Sequence, residues 1–544
     1  MVRPVRAVSL VAWRARLTAR WNLVAIAAIA IAATLAYVQP VFDTGWYYDD
    51  WSNAAAFHDA PSQSPAGLFS ECRAFDPADR PGACLYHAGA YWVIGSHIKG
   101  YHLLSILLLA ASAALLYLLL ARCRMPRGLA LLVALLFVLF PGSDATRLWP
   151  TAVVGQYALV LYLAAVLLGI RALQREGRSA TLLHAGSILL LVLTFFTYEN
   201  LVAVVALGGI FYWRAIGNLE RPVILRAAVD LALAVSFVGY RFLLAPVDAS
   251  SGFVVERSVG ETFDRAVTIA EGAWVSWHTL FVPTTFVLVA LLAGAAFAAW
   301  SFSQRRATRR GILRWMAVAG AAALVALAAV SAYVPATDLY VPQVGSLFNR
   351  LNLVAAPAYV VLFVALLGAC WHALRETFGD RGAALAAGLV VLAVAVHQAA
   401  VSRDSQQAWA ESWRAQGQAL NGLRAAAPQI PDDASIVTFG HPIWERGFIP
   451  VFASSWDVRG AIDERTGNDP PRALPFLASV TCGARGVLLD GALLLAFRGR
   501  EPVWFVNTAT SEARRVRDAA SCNAAATDWG PPPFWGRTIS DPSL

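Results

Sequence analysis

The chain has 544 residues, 58% hydrophobic and 14% charged, with a mean hydropathy of +0.56 and a formal net charge of +8. A soluble protein carries about 25% charged residues, so the composition excludes a soluble globular enzyme and predicts a polytopic α-helical membrane protein. All basic residues but Lys99 are arginine. In a membrane protein the placing of that charge over the loops matters more than its sum, so the basic balance is no evidence for a nucleic-acid partner.

About twenty apolar residues cross a bilayer, and that rule predicts eleven segments. They are Leu23–Phe42, Tyr101–Leu120, Gly128–Phe140, Val153–Ile170, Thr181–Phe196, Leu201–Trp213, Ala227–Leu244, Val282–Phe302, Trp315–Val334, Leu353–Trp371 and Gly382–Ala400. The third and sixth are short, and the Tyr198-Glu199-Asn200 break is the least defined boundary. The loops alternate in charge. One side carries 21 basic residues against four acids, with clusters at Arg3–Arg20, Arg122–Arg127, Arg171–Arg178, Arg214–Arg226, Arg305–Arg314 and Arg375–Arg381. The loops of the other side carry seven basic and fifteen acidic residues. Positive loops stay in the cytoplasm, which puts the N-terminus inside and, after eleven spans, the C-terminus outside. The first segment has basic flanks and no small-residue cleavage pattern, and reads as a retained signal anchor in the cytoplasmic membrane.

Just beyond that segment stands Asp43-Thr44-Gly45-Trp46-Tyr47-Tyr48-Asp49-Asp50-Trp51. Two adjacent carboxylates among aromatic rings at the membrane edge are costly and read as a functional site. They open an outside loop, residues 43–100, that is long for a connection. It holds seven acids and Pro61, Pro65, Pro77 and Pro81. The second long outside loop, residues 245–281, contains Glu261–His278. Its Phe263, Val267, Ala270, Trp274 and Trp277 fall at helical spacing, opposite Asp264, Arg265, Thr268 and Glu271. That is the pattern of an interfacial amphipathic helix, whose Trp residues suit a headgroup belt.

The organisation predicted is a basic cytoplasmic stretch 1–20, a membrane domain 21–402, and an extracytoplasmic α+β domain 403–544. In the last, Gln406–Ala426 reads as a helix, Ala434–Phe439 and Gly486–Leu489 as strands, and Phe497–Glu501 as the turn of a hairpin running into Pro502–Asn507. The Pro-rich tail from Gly530 reads as extended. Cys72 and Cys84 lie in the first outside loop, Cys482 and Cys522 in the C-terminal region, and Cys123 and Cys370 at cytoplasmic ends. Four outside cysteines allow three pairings. Cys72–Cys84 and Cys482–Cys522 are favoured because each pair lies within one outside segment of an oxidising compartment; six free thiols are the alternative.

Asp49, Asp50, Asp144, Arg147, Glu199, Arg241, Asp338 and Arg350 all fall at outside mouths, and within the spans only Asp230 lies away from that side. A secondary transporter places such groups near the midplane of two related halves; gathering them at one edge suits a site open to the outer leaflet. The acidic pair after the first span, the long loop, the Gly100-Tyr101-His102-Leu103-Leu104-Ser105 entry to the second span, and the Pro141-Gly142…Trp149-Pro150 loop together resemble the GT-C superfamily of membrane glycosyltransferases. That superfamily includes the polyprenyl-phosphate-sugar-dependent protein mannosyltransferases and bacterial arabinosyltransferases. The similarity covers the layout of residues 20–400.

The resemblance implies a sugar donor joined to a polyprenyl phosphate, and a glycan, lipid or protein acceptor on the outer face of the bilayer. The acceptor hydroxyl needs a base within hydrogen-bond reach, which would give inversion by direct displacement. Successive helical residues point about 100° apart, so the two carboxylates divide roles: Asp50 is assigned as base and Asp49 as its orienter or as a metal ligand. A helix cap plus a solvated acid is the plain alternative. A divalent cation (Mg, Mn or Ca) is a candidate at Asp49 and Asp50. The leaving phosphate needs a cation with planar, bidentate donors, for which Arg147, Arg241 and Arg350 are the candidates, Arg350 first. Tyr48 and Trp51, flanking the pair, and His87 join them as substrate-binding candidates. For Glu199, sugar binding, a metal site and simple pairing with an arginine stay open. His87, His97 and His102 do not share a converging helix face, so a structural role is favoured over zinc. The competing function is a transporter or flippase of lipid-linked envelope precursors.

Overall fold

A computed structural model describes residues 5–75, 80–244, 257–281, 294, 306–446, 448–466, 470, 472–476, 480–489, 492–497 and 501–530. The eighth predicted segment (Val282–Phe302) apart from Gly294, residues 245–256 of the second outside loop, the turn at 498–500 and the tail beyond Gly530 lie outside the described residues.

Among the described residues eight helices are long and apolar enough to cross a bilayer: Thr18–Asp43, Ile98–Arg122, Pro150–Leu173, Gly177–Thr197, Arg221–Gly239, Thr308–Ser331, Ala356–Glu376 and Phe378–Gln429. The pair Glu199–Ala206 and Gly209–Ile216, bent by 44°, makes a ninth if it is one span. These helices match nine of the eleven predicted segments, the eighth lying outside the described residues and the third being short. The third predicted segment forms the 13-residue helix Arg127–Leu139, about 20 Å long at 1.5 Å per residue and short of a hydrocarbon core of about 30 Å. The sixth predicted segment is the bent pair.

Helix faces show what surrounds them. On the first span Ala25, Ile29, Ala33 and Tyr37 recur every fourth residue and are buried, while Leu23, Ile31 and Leu35 of the same helix are exposed. Small side chains let neighbouring spans approach, and large exposed aliphatic ones on the outer face suit lipid rather than water. Pro40, Pro81, Pro141, Pro150, Pro222 and Pro357 each stand in the first turn of a helix, where a missing N–H costs nothing. Inside the membrane region Arg226 and Asp230 form an ion pair (2.9 Å), with Tyr212 donating to Asp230 (2.6 Å) and Arg226 to Ser187 (2.7 Å).

The helical run Ala356–Ala426 breaks at Gly379 (φ 67°, ψ 173°), a backbone conformation only glycine adopts without strain. The second half, residues 380–426, is about 70 Å long. It passes without interruption through the expected domain boundary at 402/403, so the predicted terminal helix is the continuation of the last span. Helix Val259–Phe281 occupies the amphipathic stretch, but its buried stripe is Arg265, Ile269, Ala273, Ser276 and Leu280, with Trp277 beside it, while Phe263, Val267 and Trp274 are exposed. Arg265, expected on the polar face, is buried and donates to the carbonyls of Thr337 (2.7 Å) and Tyr340 (2.8 Å).

Beyond the long helix the chain forms β1 (Ser435–Phe439), the short pair β2 (Trp444–Glu445) and β3 (Ile449–Pro450), β4 (Ala473–Pro475), β5 (Val480–Cys482), β6 (Gly486–Leu489), β7 (Ala492–Ala496), β8 (Val503–Asn507) and β9 (Glu512–Val516). The main sheet has the order β4-β1-β8-β9, with β1 parallel to both β4 and β8. The hairpin expected across residues 497–501 is not formed. β7 pairs with β6 in a separate three-stranded sheet, and β8 is a largely buried central strand that pairs with β1 and β9. The disulfides are Cys72–Cys84, joining helices Pro65–Phe75 and Pro81–Ile94, and Cys482–Cys522, joining β5 to helix Ala519–Trp529. Cys123 and Cys370 are free.

Candidate active site

The acidic motif is gripped from three directions. From the long helix, Trp409, Trp413 and Gln416 present one face, at spacings of four and three residues. Tyr47 donates its hydroxyl to the Trp409 carbonyl (2.7 Å), Trp51 donates its indole N–H to Gln416 (2.7 Å), and the Trp413 indole stacks on Trp51 at 6.0 Å. That indole also lies over Gly45, where any Cβ would sit 2.2 Å from the ring. From the second span, His102 meets the Thr44 hydroxyl (3.0 Å) and Tyr101 packs on Trp46. From the sheet domain, helix Ser455–Thr466 crosses helix Asp49–His58 at backbone contact: a Cβ on Gly460 would lie 2.6 Å from the Trp51 carbonyl.

The chain turns sharply between Tyr47 and Asp50. The Asp50 N–H donates to the Tyr47 carbonyl (2.9 Å), and Tyr48 takes φ 50°, ψ −116°. That is the first central position of a type II′ turn, normally glycine. A side chain held there costs about 1–3 kcal/mol and marks functional sites. Here it places the half-buried Tyr48 ring against Trp149, Trp444 and Trp456, at 6.0, 6.4 and 5.3 Å.

The turn sends the two carboxylates apart. Asp50 is 1% exposed. Its Oδ2 accepts the Tyr47 N–H (2.8 Å), and its Oδ1 accepts both the N–H (2.7 Å) and the hydroxyl (2.5 Å) of Thr151. Burial drives its carboxyl well above the usual range, against the pull of those donors. Asp49 is half-buried; its Oδ1 accepts the indole N–H of Trp456 (2.9 Å), and its Oδ2 makes no hydrogen bond among the described residues. Burial raises its carboxyl as well, while the Arg350 charge and the Trp456 N–H lower it.

Arg350 stands on the short 3₁₀ helix Leu347–Asn352, with its guanidinium over Trp149 (4.7 Å) and Tyr340 (5.7 Å). Asn349 and Asn352 fix that helix to the Pro141–Pro150 loop: the Ala145 N–H donates to Asn349 (2.9 Å) and Asn352 donates to the Gly142 carbonyl (3.0 Å). Among the described residues no carboxylate or hydrogen-bond acceptor engages the guanidinium of Arg350. A half-buried guanidinium with no hydrogen-bond partner among the described residues, in electrostatic reach of a half-buried carboxylate that keeps one oxygen free, leaves both available to a ligand.

The remaining predicted residues divide. Arg147 is 3% exposed and donates to the carbonyls of Val138 and Phe137 (3.0 Å each), to Asp144 (3.2 Å) and to the hydroxyl of Tyr37. Its guanidinium is spent inside the fold, which removes it from the substrate candidates. Glu199 is held by Arg80 through a two-pronged pair (2.8 and 2.5 Å), with Arg241 in electrostatic reach; of its three uses, arginine pairing is the one formed. Tyr333, bonded to Asn200 (3.0 Å), feels both Glu199 and Arg350, so this cluster borders the site. His87 is half-buried on helix Pro81–Ile94, its ring edge-on to Tyr86. Trp51 is fully buried and serves the scaffold rather than a ligand. Among the described residues no three His, Cys, Asp or Glu side chains form a metal-binding group. With both Asp50 oxygens occupied by N–H and O–H donors, Asp49 and Asp50 do not fit a shared divalent ion. Trp149, from the loop that carried the resemblance, joins the site with Thr151, Trp456 and Tyr340, each through a contact across the fold.

No protein-family model matches the chain, and no curated protein does. Among solved structures it is similar to the crystal structure of the Archaeoglobus fulgidus oligosaccharyltransferase tethered to an acceptor peptide, with 12% identity and a TM-score of 0.44. The match covers 83% of this chain and 63% of that one, so the chain spans less than two thirds of that protein's length. A likeness at that level assigns no activity.

Proposed function

We propose that the protein is an inverting glycosyltransferase that moves a sugar from a polyprenyl-phosphate donor to an acceptor hydroxyl at the outer face of the membrane, with Asp49 as the base. This reverses the roles expected of the pair. Asp50, buried and saturated by Tyr47 and Thr151, positions the turn, while Asp49 keeps an oxygen free. The observation that carries the reading is that free oxygen in electrostatic reach of the Arg350 guanidinium, which makes no hydrogen bond among the described residues. The acceptor oxygen forms its bond to the anomeric carbon as the bond from that carbon to the donor phosphate breaks. The acceptor proton passes to Asp49, and the departing phosphate takes its charge to Arg350, whose planar donors match phosphate oxygens. Tyr48, Trp149, Trp444 and Trp456 supply flat surfaces for a sugar ring. No step requires a metal.

Asp49→Asn tests the assignment. Loss of a general base costs about 10²–10⁴-fold, so transfer from a lipid-linked donor falls by at least that lower figure while the protein reaches the membrane at the wild-type level. Asp50→Asn instead lowers the yield of folded protein, because an amide nitrogen faces N–H donors it cannot accept. Undiminished transfer by Asp49→Asn would overturn the reading.

A further inference from the structure

A cavity among the described residues lies at the other end of the helices from Asp49. It measures about 660 Å³, within the range of sites built for one ligand. Its walls are apolar side chains of five elements, among them Leu116, Val318, Ala322 and Val361. The lining runs from Gly311 to Val325 on one helix and from Pro357 to His372 on another. At 1.5 Å per residue each stretch is about 20 Å long, two thirds of a hydrocarbon core. Its polar end carries the guanidinium groups of Arg124, Arg214 and Arg314 beside the imidazole of His372, and no acidic side chain lines it.

The three arginines come from three parts of the chain and converge on the arginine-rich face, the cytoplasmic one under the charge rule. Gly217 lies against the Arg124 guanidinium, three residues beyond Arg214, and Gly311 lies against the His372 ring, three residues before Arg314. Arg124 is held at φ 65°. It ends the helix Ile98–Arg122 with the Met125 N–H on the Leu120 carbonyl and its own N–H on the Ala121 carbonyl, a helix ending in which that position is usually glycine. An arginine there carries backbone strain that glycine would relieve, and its guanidinium is aimed across the mouth to the Ile216 carbonyl (2.6 Å).

We propose that this cavity is a lipid site, distinct from the candidate active site: it takes the hydrocarbon chain of one phosphate-headed lipid, with the phosphate seated among Arg124, Arg214 and Arg314. The chemistry follows from the lining. An apolar tunnel of that length binds a hydrocarbon chain, and unopposed guanidinium groups at its mouth bind a phosphate. A neutral lipid would leave those charges uncompensated. The inference does not depend on the transferase reading.

The test is native mass spectrometry of the full chain in detergent, titrated with phosphatidylglycerol, with undecaprenyl phosphate, and with diacylglycerol, which has chains and no phosphate. The wild type retains phosphatidylglycerol or undecaprenyl phosphate, and whichever it prefers names the source; diacylglycerol dissociates. Arg214→Gln with Arg314→Gln lowers retention about tenfold, the loss of a charge-assisted contact. Arg124→Gly lowers retention without lowering Tm, because it relieves the backbone while removing the cation. Ala322→Trp fills the tunnel and expels the lipid with all cations in place. Equal retention of diacylglycerol, or retention unchanged in the double arginine variant, overturns the phosphate seat. Retention unchanged in Ala322→Trp overturns the tunnel.

Discussion

Asp49 gives the site its expected pH response. Its carboxyl is raised by burial and drawn back by Arg350 and by the Trp456 indole N–H. A base works only when ionised, so transfer increases with pH along an acid limb that lies above the ordinary aspartate range of about 3.9. Trp456→Phe removes a donor to the charged form, which favours the protonated form and moves the limb to higher pH. Arg350→Gln moves it the same way and also weakens donor binding. Profiles of kcat/KM against pH check this: the Trp456→Phe rate recovers above the limb, and a limb that stays put or moves down would sink the assignment. The position of Asp49-Asp50 beyond the first span was legible in the sequence, because an acidic pair beside an apolar run is costly. The division of labour was not. It depends on a turn at Tyr48 that breaks the usual residue preference, and on an indole 407 positions away in the chain.

Between elements, the junction that matters is helix Ser455–Thr466 against helix Asp49–His58. Its start is fixed by the buried Asp457, which accepts the N–H groups of Ala453 (2.7 Å) and Ser454 (3.1 Å). Gly460 then allows the two backbones to touch. Gly460→Ala puts a methyl group 2.6 Å from backbone atoms of Trp51 that cannot yield. Overpacking of this kind costs about 1–3 kcal/mol, and the shift that relieves it pulls Trp456 from Asp49. Gly417→Ala is the control: it sits in the long helix with nothing within 4 Å of the added carbon and should gain about 0.5–1 kcal/mol from helix propensity. Thermal melts and transfer assays on the pair decide it. Lower Tm and lower transfer are expected for Gly460→Ala, higher Tm and unchanged transfer for Gly417→Ala, and equal behaviour would show that the junction is loose. Apolar periodicity had revealed the spans, but it located a domain boundary at 402/403 where the polar continuation of one helix begins. Composition changes there from apolar to polar while the helix itself runs on to Ala426.

At the scale of the molecule, Asp49, Arg350 and the sheet domain gather at one end of the spans, and Arg124, Arg214 and Arg314 at the other. The alternation of charge in the loops carries that polarity in the sequence itself, and the disulfides Cys72–Cys84 and Cys482–Cys522 both lie at the acidic end, the one expected from the sequence to face an oxidising compartment. The orientation in the membrane is open to a direct check. In a chain with Cys123→Ser and Cys370→Ser, Arg175→Cys and Asp432→Cys each introduce one exposed thiol, the first on an arginine-rich loop and the second beside the sheet domain. In intact cells a membrane-impermeant maleimide should label Asp432→Cys and leave Arg175→Cys untouched until the membrane is opened. The reverse order would put Asp49 and both disulfides in the cytoplasm. A lipid-linked donor is needed where soluble activated sugars are absent, so that result would remove the reason for a polyprenyl carrier and, with it, the outer-face transferase.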